Sequence, residues 1–457
     1  MRFRSFNEML AYHAAHTGNK TALIYDENGS KKTLSFGDLL AKTEQRRAEL
    51  LETGKTSIGI LCSPDITTIT MIFAAVAAKM QVVMLDEGLS ADKLKILMKA
   101  ADVDMLCGKD AKTLAALTPH LTKGVEKNAG RVLFFTSGTT SMSKAVVLTE
   151  ESLCASAYNG SAKLPLSPDD VLMCFLPLAH VFGFVCSLLW GLSCGAAVAL
   201  GRGARMMPFD LKYFNPTAVS VVPMLLGFLL KQNLLNENLQ LILVGAGDCS
   251  QQLLDAAAAL GKRVSFGYGL TETSSGIAIS VSGDPHAMEI CPDDTVEIAQ
   301  DGEITVKAPT CIMQGYYKDP ESTAAVLKDG VFYTGDLGYL DRDGKLHITG
   351  RKKEMLVLPS GTKIFLPDYE HDLAKALENA ELAVILLKSK PVLVIQELPE
   401  KRQEIQEKLA AAMKNLPRAH RITDVIFTDK PLPRTATGKI KRWEIQKTEE
   451  EKNGKNE

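Results

Sequence analysis

A cluster of hydroxyl side chains between two apolar runs is the first feature of the sequence that suggests chemistry. Residues 131–149 read RVLFFTSGTTSMSKAVVLT, in which an apolar run leads into hydroxyl residues, a glycine and a lysine before a second apolar run. Hydroxyl groups, backbone N–H groups and an ammonium group typically surround a bound phosphate. The stretch therefore predicts a phosphate-binding loop, with a polar surface loop as the alternative. The predicted contacts are Thr136, Ser137, Gly138, Thr139, Thr140 and Lys144.

This loop differs from the P-loop found in many nucleotide-binding proteins. The P-loop pattern GxxxxGK[ST] requires a glycine directly before the lysine and a hydroxyl residue directly after it. Here Ser143 precedes Lys144 and Ala145 follows it. We therefore exclude a P-loop at this position.

A second stretch, residues 241–254, imitates a dinucleotide-binding fingerprint through its apolar run and the turn at Gly245 and Ala246. Ser250 stands where the fingerprint has its third glycine or alanine, and residues 263–270 contain no acidic side chain for a ribose. The pattern indicates instead a tight turn between a strand and a helix at the edge of a pocket.

The composition is that of a large globular protein without a strong charge. The 457 residues are enough for about three domains, and 52 basic against 54 acidic residues leave a net charge of −2. That balance argues against nucleic acid as a partner, because phosphate polymers are bound through a basic excess. The nine cysteines form no C-x-x-C pair, and no apolar signal segment follows the N-terminus. We expect reduced thiols and a cytoplasmic protein.

One segment raises the question of a membrane span. Residues 171–201 contain no charged side chain, and the segment is long enough to cross a bilayer. Pro177, Gly183, Gly191 and other residues interrupt it, so a buried helix and strand explain it as well. We expect no stable membrane insertion.

The elements that must position these residues alternate between short β-branched runs and helical segments, which predicts an α/β fold with a large parallel sheet system. Asp-Gly turns at 301–302 and 343–344 predict hairpins in a β-rich subdomain. Past residue 352 the chain is more charged, and apolar residues four apart at 405, 409 and 413 predict a surface helix. We predict an N-terminal domain over residues 1–351 and a small α+β domain over residues 352–457.

With its remaining motifs, the sequence resembles the adenylate-forming enzymes, which include acyl-CoA and aryl-CoA synthetases, peptide-synthetase adenylation domains and beetle luciferases. Together with the opening segment, the similarity covers nearly the whole chain. It implies an AMP-forming ligase that uses ATP and Mg²⁺ to make an acyl-adenylate and then acylates a thiol. The motifs, in the family's order, are FFTSGTTSMSKAVVLT from residue 134, PLAHVFG from 177, GYGLTETS from 267, YTGDLGYLDRDGKLHITGRKK from 333 and PLPRTATGKIKR from 431.

The resemblance implies nucleotide contacts in the larger domain. In GYGLTETS, Tyr268 is implied to stack on adenine beside Gly269, Thr271 to contact the α-phosphate, and Glu272 to bind Mg²⁺. The turn at Gly245 and Ala246 maps to the edge of the adenine and acyl pockets. Without the family match, GYGLTETS would be interpreted as a turn.

Further contacts are implied near the domain boundary and the C-terminus. Asp336 is implied to accept both ribose hydroxyls, and Arg351 to lie beside ribose and phosphate, with a surface ion pair as the alternative for either. Joining a carboxylate to a triphosphate brings two anions together, so a cation must lie at the reacting centre. Lys439 is implied to bridge the substrate carboxylate and the α-phosphate.

The resemblance also implies a moving small domain. Lys353 falls on the family's hinge position, and rotation there is implied to bring the loop around Gly361 inward and open a tunnel for a pantetheine thiol. The acceptor is coenzyme A or the phosphopantetheine of an acyl or peptidyl carrier protein, and both alternatives stay open.

The substrate class follows from the PLAHVFG motif. His180 is implied to lie at the mouth of the acyl pocket, with a buried core histidine as the alternative. Amino-acid-activating members usually carry an Asp after this motif, and residues 181–201 contain none. We therefore expect a small-molecule carboxylic acid that is apolar, either fatty or aromatic.

The phosphate loop departs from the family pattern TSGTTGxPKG. Ser141, Ser143 and Ala145 replace Gly, Pro and Gly. Added Cβ atoms restrict the backbone where close approach to a phosphate is expected. A catalytically impaired nucleotide-binding homologue is therefore a further alternative.

Overall fold

The structure, a computed structural model, divides into two compact units. The larger unit comprises the described residues of Met1–Thr136, Lys144–Thr334 and Tyr339–His347, and the smaller unit comprises Gly335–Gly338 and the described residues of Ile348–Glu457. The predicted domain boundary between residues 351 and 352 stays a prediction. The residues described are 1–126, 129–136, 144–203, 205–247, 249–281, 284, 286–357, 363–378, 380–387, 390–397, 401–414, 421–422, 424–434 and 440–453.

The first part of the larger unit alternates strands and helices, as the apolar runs predict. Polar residues begin the helices: Ser5 accepts a hydrogen bond from the N–H of Glu8, and Ser35 accepts one from the N–H of Asp38, which satisfies otherwise unpaired N–H groups. The elements are α1 (Phe6–Thr17), β1 (Thr21–Glu27), β2 (Ser30–Ser35), α2 (Phe36–Glu52), β3 (Ser57–Cys62), α3 (Ile66–Ala77), β4 (Gln81–Asp86), α4 (Ala91–Ala100), β5 (Met105–Cys107), α5 (Ala111–Leu117), β6 (Arg131–Phe135), β7 (Ala145–Thr149) and α6 (Glu150–Lys163).

The charge-free segment folds as strand, helix and strand inside the core. A π-helical segment, Val185–Leu189, joins two short α-helices, and Leu172, Leu188 and Leu192 are fully buried. The predicted buried helix and strand are confirmed, and the described residues include no helix with the length and apolar character needed to cross a membrane. The elements from here are β8 (Val171–Cys174), α7 (Val181–Phe184), α8 (Trp190–Ser193), β9 (Ala197–Leu200), α9 (Met207–Phe214), β10 (Ala218–Val221), α10 (Pro223–Lys231), β11 (Leu241–Gly245), α11 (Gln251–Ala258), β12 (Arg263–Leu270), β13 (Ser275–Ser280) and β14 (Glu289–Ile290).

The next part is rich in strands. Both predicted hairpins form, and Gly302 and Gly344 occupy their turns with φ of 88° and 75°, values that suit glycine. The elements are β15 (Thr295–Ile298), β16 (Glu303–Lys307), β17 (Gly315–Tyr316), α12 (Pro320–Val326), β18 (Leu327–Lys328), β19 (Val331–Leu340) and β20 (Leu346–Arg351).

Two large sheets position the predicted site of the larger unit. The nine-stranded sheet has the order β14-β13-β12-β11-β10-β8-β9-β1-β2, with parallel strands from β12 to β1. The six-stranded sheet has the order β17-β7-β6-β4-β3-β5, and β15, β16, β19 and β18 form a third sheet, with β20 paired to β19. The main core contains aromatic rings packed at tilted angles, with 4.9 Å between the ring centres of Phe6 and Phe73 and 5.8 Å between those of Phe134 and Phe184. The predicted α/β fold is therefore confirmed.

The smaller unit has its own α+β core. The predicted surface helix forms, and its residues Ile405, Leu409 and Met413 pack on a three-stranded sheet together with Val384 and Leu393. The elements are β21 (Met355–Val357), β22 (Lys363–Phe365), α13 (Leu366–Ala376), β23 (Leu382–Leu387), β24 (Lys390–Gln396), α14 (Arg402–Lys414), β25 (Asp424–Thr428) and α15 (Arg442–Asn453).

Candidate active site

The hairpin that carries the predicted phosphate loop is closed by backbone hydrogen bonds at its neck. Strands β6 and β7 pair antiparallel up to Phe135 and Ala145. Beyond that pair, the N–H of Thr136 donates to the carbonyl of Lys144 at 2.9 Å, and the N–H of Lys144 donates to Oγ1 of Thr136 at 3.3 Å. Thr136 and Lys144 therefore meet at the base of the loop. Four predicted contacts lie outside the described residues: Ser137, Gly138, Thr139 and Thr140.

The GYGLTETS motif forms the end of β12 and a 3₁₀ turn. Tyr268 is buried, and a Cβ atom at Gly269 would lie 1.7 Å from the carbonyl oxygen of Ser275, so only glycine fits there. Thr271 and Glu272 begin the turn Thr271–Thr273, and both are half-buried. The motif thus holds its polar side chains at the end of a sheet strand, where ligands commonly bind in α/β folds.

A tyrosine that the sequence analysis missed, Tyr316, contacts both motifs. Its hydroxyl donates to Oε1 of Glu272 at 2.8 Å, and Nζ of Lys144 lies 4.5 Å from the centre of its ring. Lys144 and Glu272, predicted from separate motifs, therefore share a partner. The only signal in the sequence is the turn-like run GYYKDP, which does not reveal either contact.

The surroundings of Glu272 fit a Mg²⁺ ion that takes most of its ligands from a nucleotide. Oε1 accepts from Tyr316, and the described residues form no hydrogen bond to the other oxygen. No group of three or more His, Cys, Asp and Glu side chains in the part of the chain described has a metal-binding arrangement. Mg²⁺ commonly binds through one or two carboxylates and substrate phosphates, and it then neutralises phosphate charge.

The turn after β11 is tight, as predicted. A Cβ atom at Gly245 would lie 2.8 Å from Cε2 of Phe182, so the missing side chain makes room for that ring. Ala246 has a φ of 59°, a left-handed conformation that costs an alanine about 1 kcal/mol or more. Its place at the edge of an adenine pocket stays a prediction.

His180 is partly exposed rather than buried in the core. Its side chain is 43% exposed, and Nε2 lies 3.8 Å from Oδ2 of Asp86 at the end of β4. The other oxygen of Asp86 accepts from the N–H of Gly88 at 2.9 Å, which holds the carboxylate in place. The alternative of a core histidine is therefore wrong, and the role at the mouth of an acyl pocket stays a prediction.

A narrow apolar cavity of about 30 Å³ lies between α6, the π-helical segment and the nine-stranded sheet. Its walls include Leu164, Cys186, Trp190, Leu243 and Ile279. A volume of that size holds about one water molecule, so a larger guest requires its walls to move. π-Helical turns such as Val185–Leu189 occur often at functional sites.

Asp336 and Arg351, both in the smaller unit, form an ion pair with Nε 3.0 Å from Oδ1. The side chain of Asp336 is only 4% exposed, whereas that of Arg351 is 50% exposed. The alternative interpretation, a surface ion pair, is therefore correct in that the two side chains are paired, but the carboxylate of the pair is buried. Gly350 has a φ of 153°, and a Cβ atom there would lie 2.1 Å from Cε2 of Phe365, so glycine is needed before Arg351.

The structure thus brings together Thr136, Lys144 and Glu272 in the larger unit, and Asp336 with Arg351 in the smaller one. Lys439 and Gly361 lie outside the described residues, and their roles stay predictions.

The sequence is similar to a known enzyme family and to CoA ligases. A family model described as AMP-binding enzyme matches residues 109–317. The chain is 30% identical over 341 residues to the indoleacetate–CoA ligase of Aromatoleum aromaticum, an alignment that covers 69% of this chain and 66% of that enzyme. It is 30% identical over 357 residues to the 2-succinylbenzoate–CoA ligase of Bacillus cytotoxicus, with 70% of each chain covered.

The fold also matches a solved structure. The o-succinylbenzoate CoA synthetase of Bacillus subtilis, in complex with the acyl-adenylate intermediate OSB-AMP, superposes with a TM-score of 0.79 at 23% identity, over 96% of this chain and 97% of that one. The same enzyme has been solved with ATP and a magnesium ion. The resemblance inferred from the motifs is confirmed, and the chain belongs to the AMP-binding enzyme family of adenylate-forming ligases.

Proposed function

We propose that the protein joins an apolar aromatic carboxylic acid to coenzyme A in two steps. In the first, a carboxylate oxygen attacks the α-phosphorus of ATP and pyrophosphate leaves. In the second, the sulfur of coenzyme A attacks the acyl carbon, AMP leaves, and the thiol proton passes to solvent. The observation that supports this proposal most directly is the shared placement of Lys144 and Glu272 around Tyr316.

The larger unit supplies charge of the kind the first step needs. A carboxylate and a triphosphate repel each other at neutral pH, so the site must offset negative charge. Lys144 forms no ion pair with a carboxylate of the described residues, so its ammonium is available to a phosphate. Glu272 would hold Mg²⁺ on the phosphates, and Lys439 is proposed to act at the reacting centre.

The acid is proposed to be apolar and aromatic. Residues 181–201 contain no acidic side chain that would pair with the ammonium group of an amino acid, and the nearby cavity has mainly apolar walls. The two relatives above are named for indoleacetate and 2-succinylbenzoate, both of which contain an aromatic ring. We propose that the acid enters this cavity as the π-helical segment moves.

Coenzyme A is proposed as the acceptor rather than a carrier protein. The basic residues that could meet either acceptor are largely paired: Arg351 with Asp336, Lys441 with Glu444, and Arg442 with Glu370. The relatives above are named as CoA ligases. A carrier protein stays the alternative, and the acceptor experiment below separates the two.

A nucleotide-binding protein without catalysis is the second candidate, because the phosphate loop departs from the family pattern at Ser141, Ser143 and Ala145. Ala145 is 9% exposed and packs with Leu133 and Val147. Its methyl group therefore fills a core position, which removes one of the three departures as evidence against activity. Ser141 and Ser143 lie outside the described residues.

Pyrophosphate exchange with a panel of carboxylic acids tests the first step. We expect exchange with arylacetic, cinnamic and benzoic acids and little with amino acids. Measurable ATP binding without exchange for any acid would support the second candidate. Incubation with coenzyme A or with a phosphopantetheinylated carrier protein, followed by mass spectrometry, identifies the acceptor.

A cavity variant tests the acid site. Gly276 lines the cavity, and the one atom of the described residues within 4 Å of an added Cβ is the carbonyl oxygen of Tyr268, at 3.9 Å. Gly276→Val should therefore narrow the cavity without a clash at Cβ. We expect exchange with aromatic acids to fall at least tenfold while exchange with acetate changes little. Gly227→Ala, on α10 away from the cavity, is the matched control. Equal rates for aromatic acids in both variants would place the acid elsewhere.

A further inference from the structure

We infer that Tyr316 is a positioning residue for nucleotide activation, which orients the carboxylate of Glu272 with its hydroxyl and the ammonium of Lys144 with its ring. This inference rests on the proposed function, because it assigns a purpose to the same site. No motif singled out in the sequence contains Tyr316.

The backbone holds Tyr316 in one position. Strand β17 pairs with β7, so that Tyr316 lies opposite Val146, and its N–H donates to Oγ1 of Thr323 at 2.9 Å. Gly315, with a φ of 138°, lets Thr323 approach, because a Cβ atom there would lie 2.9 Å from Cγ2 of Thr323. The position of the Tyr316 ring is therefore fixed by the pairing of β17, by the contact with Thr323 on α12, and by Gly315, whose conformation disfavours a larger residue.

The hydroxyl of Tyr316 selects one orientation of Glu272. It donates to Oε1 at 2.8 Å, and the carbonyl of Glu272 accepts from the N–H of Met313 at 2.8 Å, so side chain and backbone are both fixed. Oε2 would then be the oxygen available to a metal ion, because Oε1 accepts the tyrosine hydrogen bond.

The ring of Tyr316 holds Lys144 without neutralising it. Nζ lies 4.5 Å from the ring centre, within the range of a cation–π contact. A carboxylate partner would compete with phosphate for the ammonium, whereas an aromatic face leaves the charge available on its other side. One residue thus positions both groups that would meet the phosphates and their metal ion.

The neighbouring Tyr317 offers a matched control. Its hydroxyl donates to Asp102 at 2.6 Å, and Arg131 lies over its ring at 4.8 Å, so it has the same two kinds of contact. It packs with the cluster of Leu133 and Ala145, whereas Tyr316 packs against the main core. Tyr317→Phe therefore removes an equivalent hydrogen bond away from the proposed site.

Two substitutions separate the two roles of Tyr316. Tyr316→Phe removes the hydrogen bond and keeps the ring, whereas Tyr316→Leu removes both. We expect Tyr316→Phe to raise the dissociation constant of Mn²⁺ from the ATP complex about fivefold or more, with AMP affinity within about twofold of wild type. Tyr316→Leu should in addition weaken binding of metal-free ATP by about threefold or more. Paramagnetic resonance of Mn²⁺ and calorimetric titration of ATP and AMP measure these constants.

Wild-type Mn²⁺ affinity in Tyr316→Phe, or an equal loss in Tyr317→Phe, would overturn the role of the hydroxyl. Equal affinities of Tyr316→Leu and Tyr316→Phe for metal-free ATP would overturn the role of the ring. Since these readouts do not depend on turnover, they decide the inference even if no acid supports pyrophosphate exchange, which would contradict the proposed function alone.

Discussion

The two compact units support their predicted site residues by different means. In the larger unit, Lys144, Glu272 and Tyr316 lie on or next to strands with buried neighbours, and direct contacts link them. In the smaller unit, Asp336 is buried, but its partner Arg351 is half exposed. The larger unit therefore positions its polar groups through packing, whereas in the smaller unit a buried carboxylate is paired with an arginine that stays half exposed to solvent.

This difference suggests separate roles for the two units in binding and in the reaction. Under the proposed function, packing in the larger unit preforms the site that would bind the phosphates and the acid. A half-exposed charge such as that of Arg351 in the smaller unit contributes little to folding, so it can serve the reaction. Substitutions of exposed charges in the smaller unit should therefore change rates or nucleotide affinity with little change in stability, whereas substitutions in the core of the larger unit should change stability first.

The largest expected effect is that of Lys439→Ala on adenylate formation. Two opposite charges about 4 Å apart interact by roughly 4 kcal/mol at an effective dielectric constant of about 20, so we expect pyrophosphate exchange to fall about 10²- to 10³-fold. Transfer to the thiol from preformed adenylate should suffer less. Lys430→Ala, at an exposed position in the same unit, is the control. A loss of less than about tenfold in pyrophosphate exchange would contradict the role of Lys439 in adenylate formation.

The next effect is expected for Asp336→Asn on nucleotide affinity. A hydrogen bond to a charged group contributes about 1.5–3 kcal/mol, so loss of the ribose contact should raise the AMP dissociation constant about 10- to 100-fold. Asp343→Asn, an exposed change between β19 and β20, should leave affinity unchanged. A nucleotide without ribose hydroxyls should bind wild type and Asp336→Asn alike. Equal AMP affinities of wild type and Asp336→Asn would show that Asp336 makes no energetically important contact with the ribose.

A smaller effect concerns the pH dependence of stability in the larger unit. Asp294 is 8% exposed, and neither carboxylate oxygen has a hydrogen-bond partner among the described residues. Burial, and secondarily Asp293, raises its pKa from 3.8 to about 7. The folded state therefore binds a proton that the unfolded state has released, and its stability falls as the pH rises from about 4 through 7.

The full pKa shift of Asp294 would lower the free energy of unfolding by at most about 4 kcal/mol between low and high pH, and we expect about half of that loss. Trp190 lies in the larger unit and Trp443 in the smaller one, so Trp443→Phe leaves a fluorophore that reports the larger unit alone. In the Trp443→Phe background, the free energy of unfolding measured in urea should differ between pH 5 and pH 8. Adding Asp294→Asn should make that difference smaller. An unchanged pH dependence would show that Asp294 does not titrate in this range.

Sequence reasoning predicted those parts of the site in which one motif contains both the strand and the functional group. Lys144 lies in a hydroxyl-rich stretch after the apolar run that forms β6, and this local pattern predicts a phosphate ligand. Glu272 follows the run that forms β12, but its role at a metal ion was implied by the family resemblance, since GYGLTETS alone would be interpreted as a turn. The two hairpins and the charge-free core segment were predicted for the same reason, since their signals are local. Such patterns can be predicted from sequence because the periodicity of buried residues and the residue preferences of turns are determined within a few neighbouring residues.

The parts that were missed depend on pairings between distant segments. Tyr316 becomes a site residue only because β17 pairs with β7, and a two-residue strand leaves no periodic pattern in the sequence. The isolated carboxylate of Asp294 lies in CPDD, which is typical of an exposed turn. The π-helical segment within the charge-free run also has no local signature, because its apolar residues suit an ordinary helix.

The most direct test of the account is the detection of an adenylate in the absence of any thiol. The protein is incubated with ATP, Mg²⁺ and an aromatic acid, and its bound small molecules are analysed by mass spectrometry. The account predicts an acyl-AMP in amounts approaching one per protein molecule, with an equal amount of pyrophosphate released. Release of ADP, or bound ATP that stays intact with every acid tested, would contradict it.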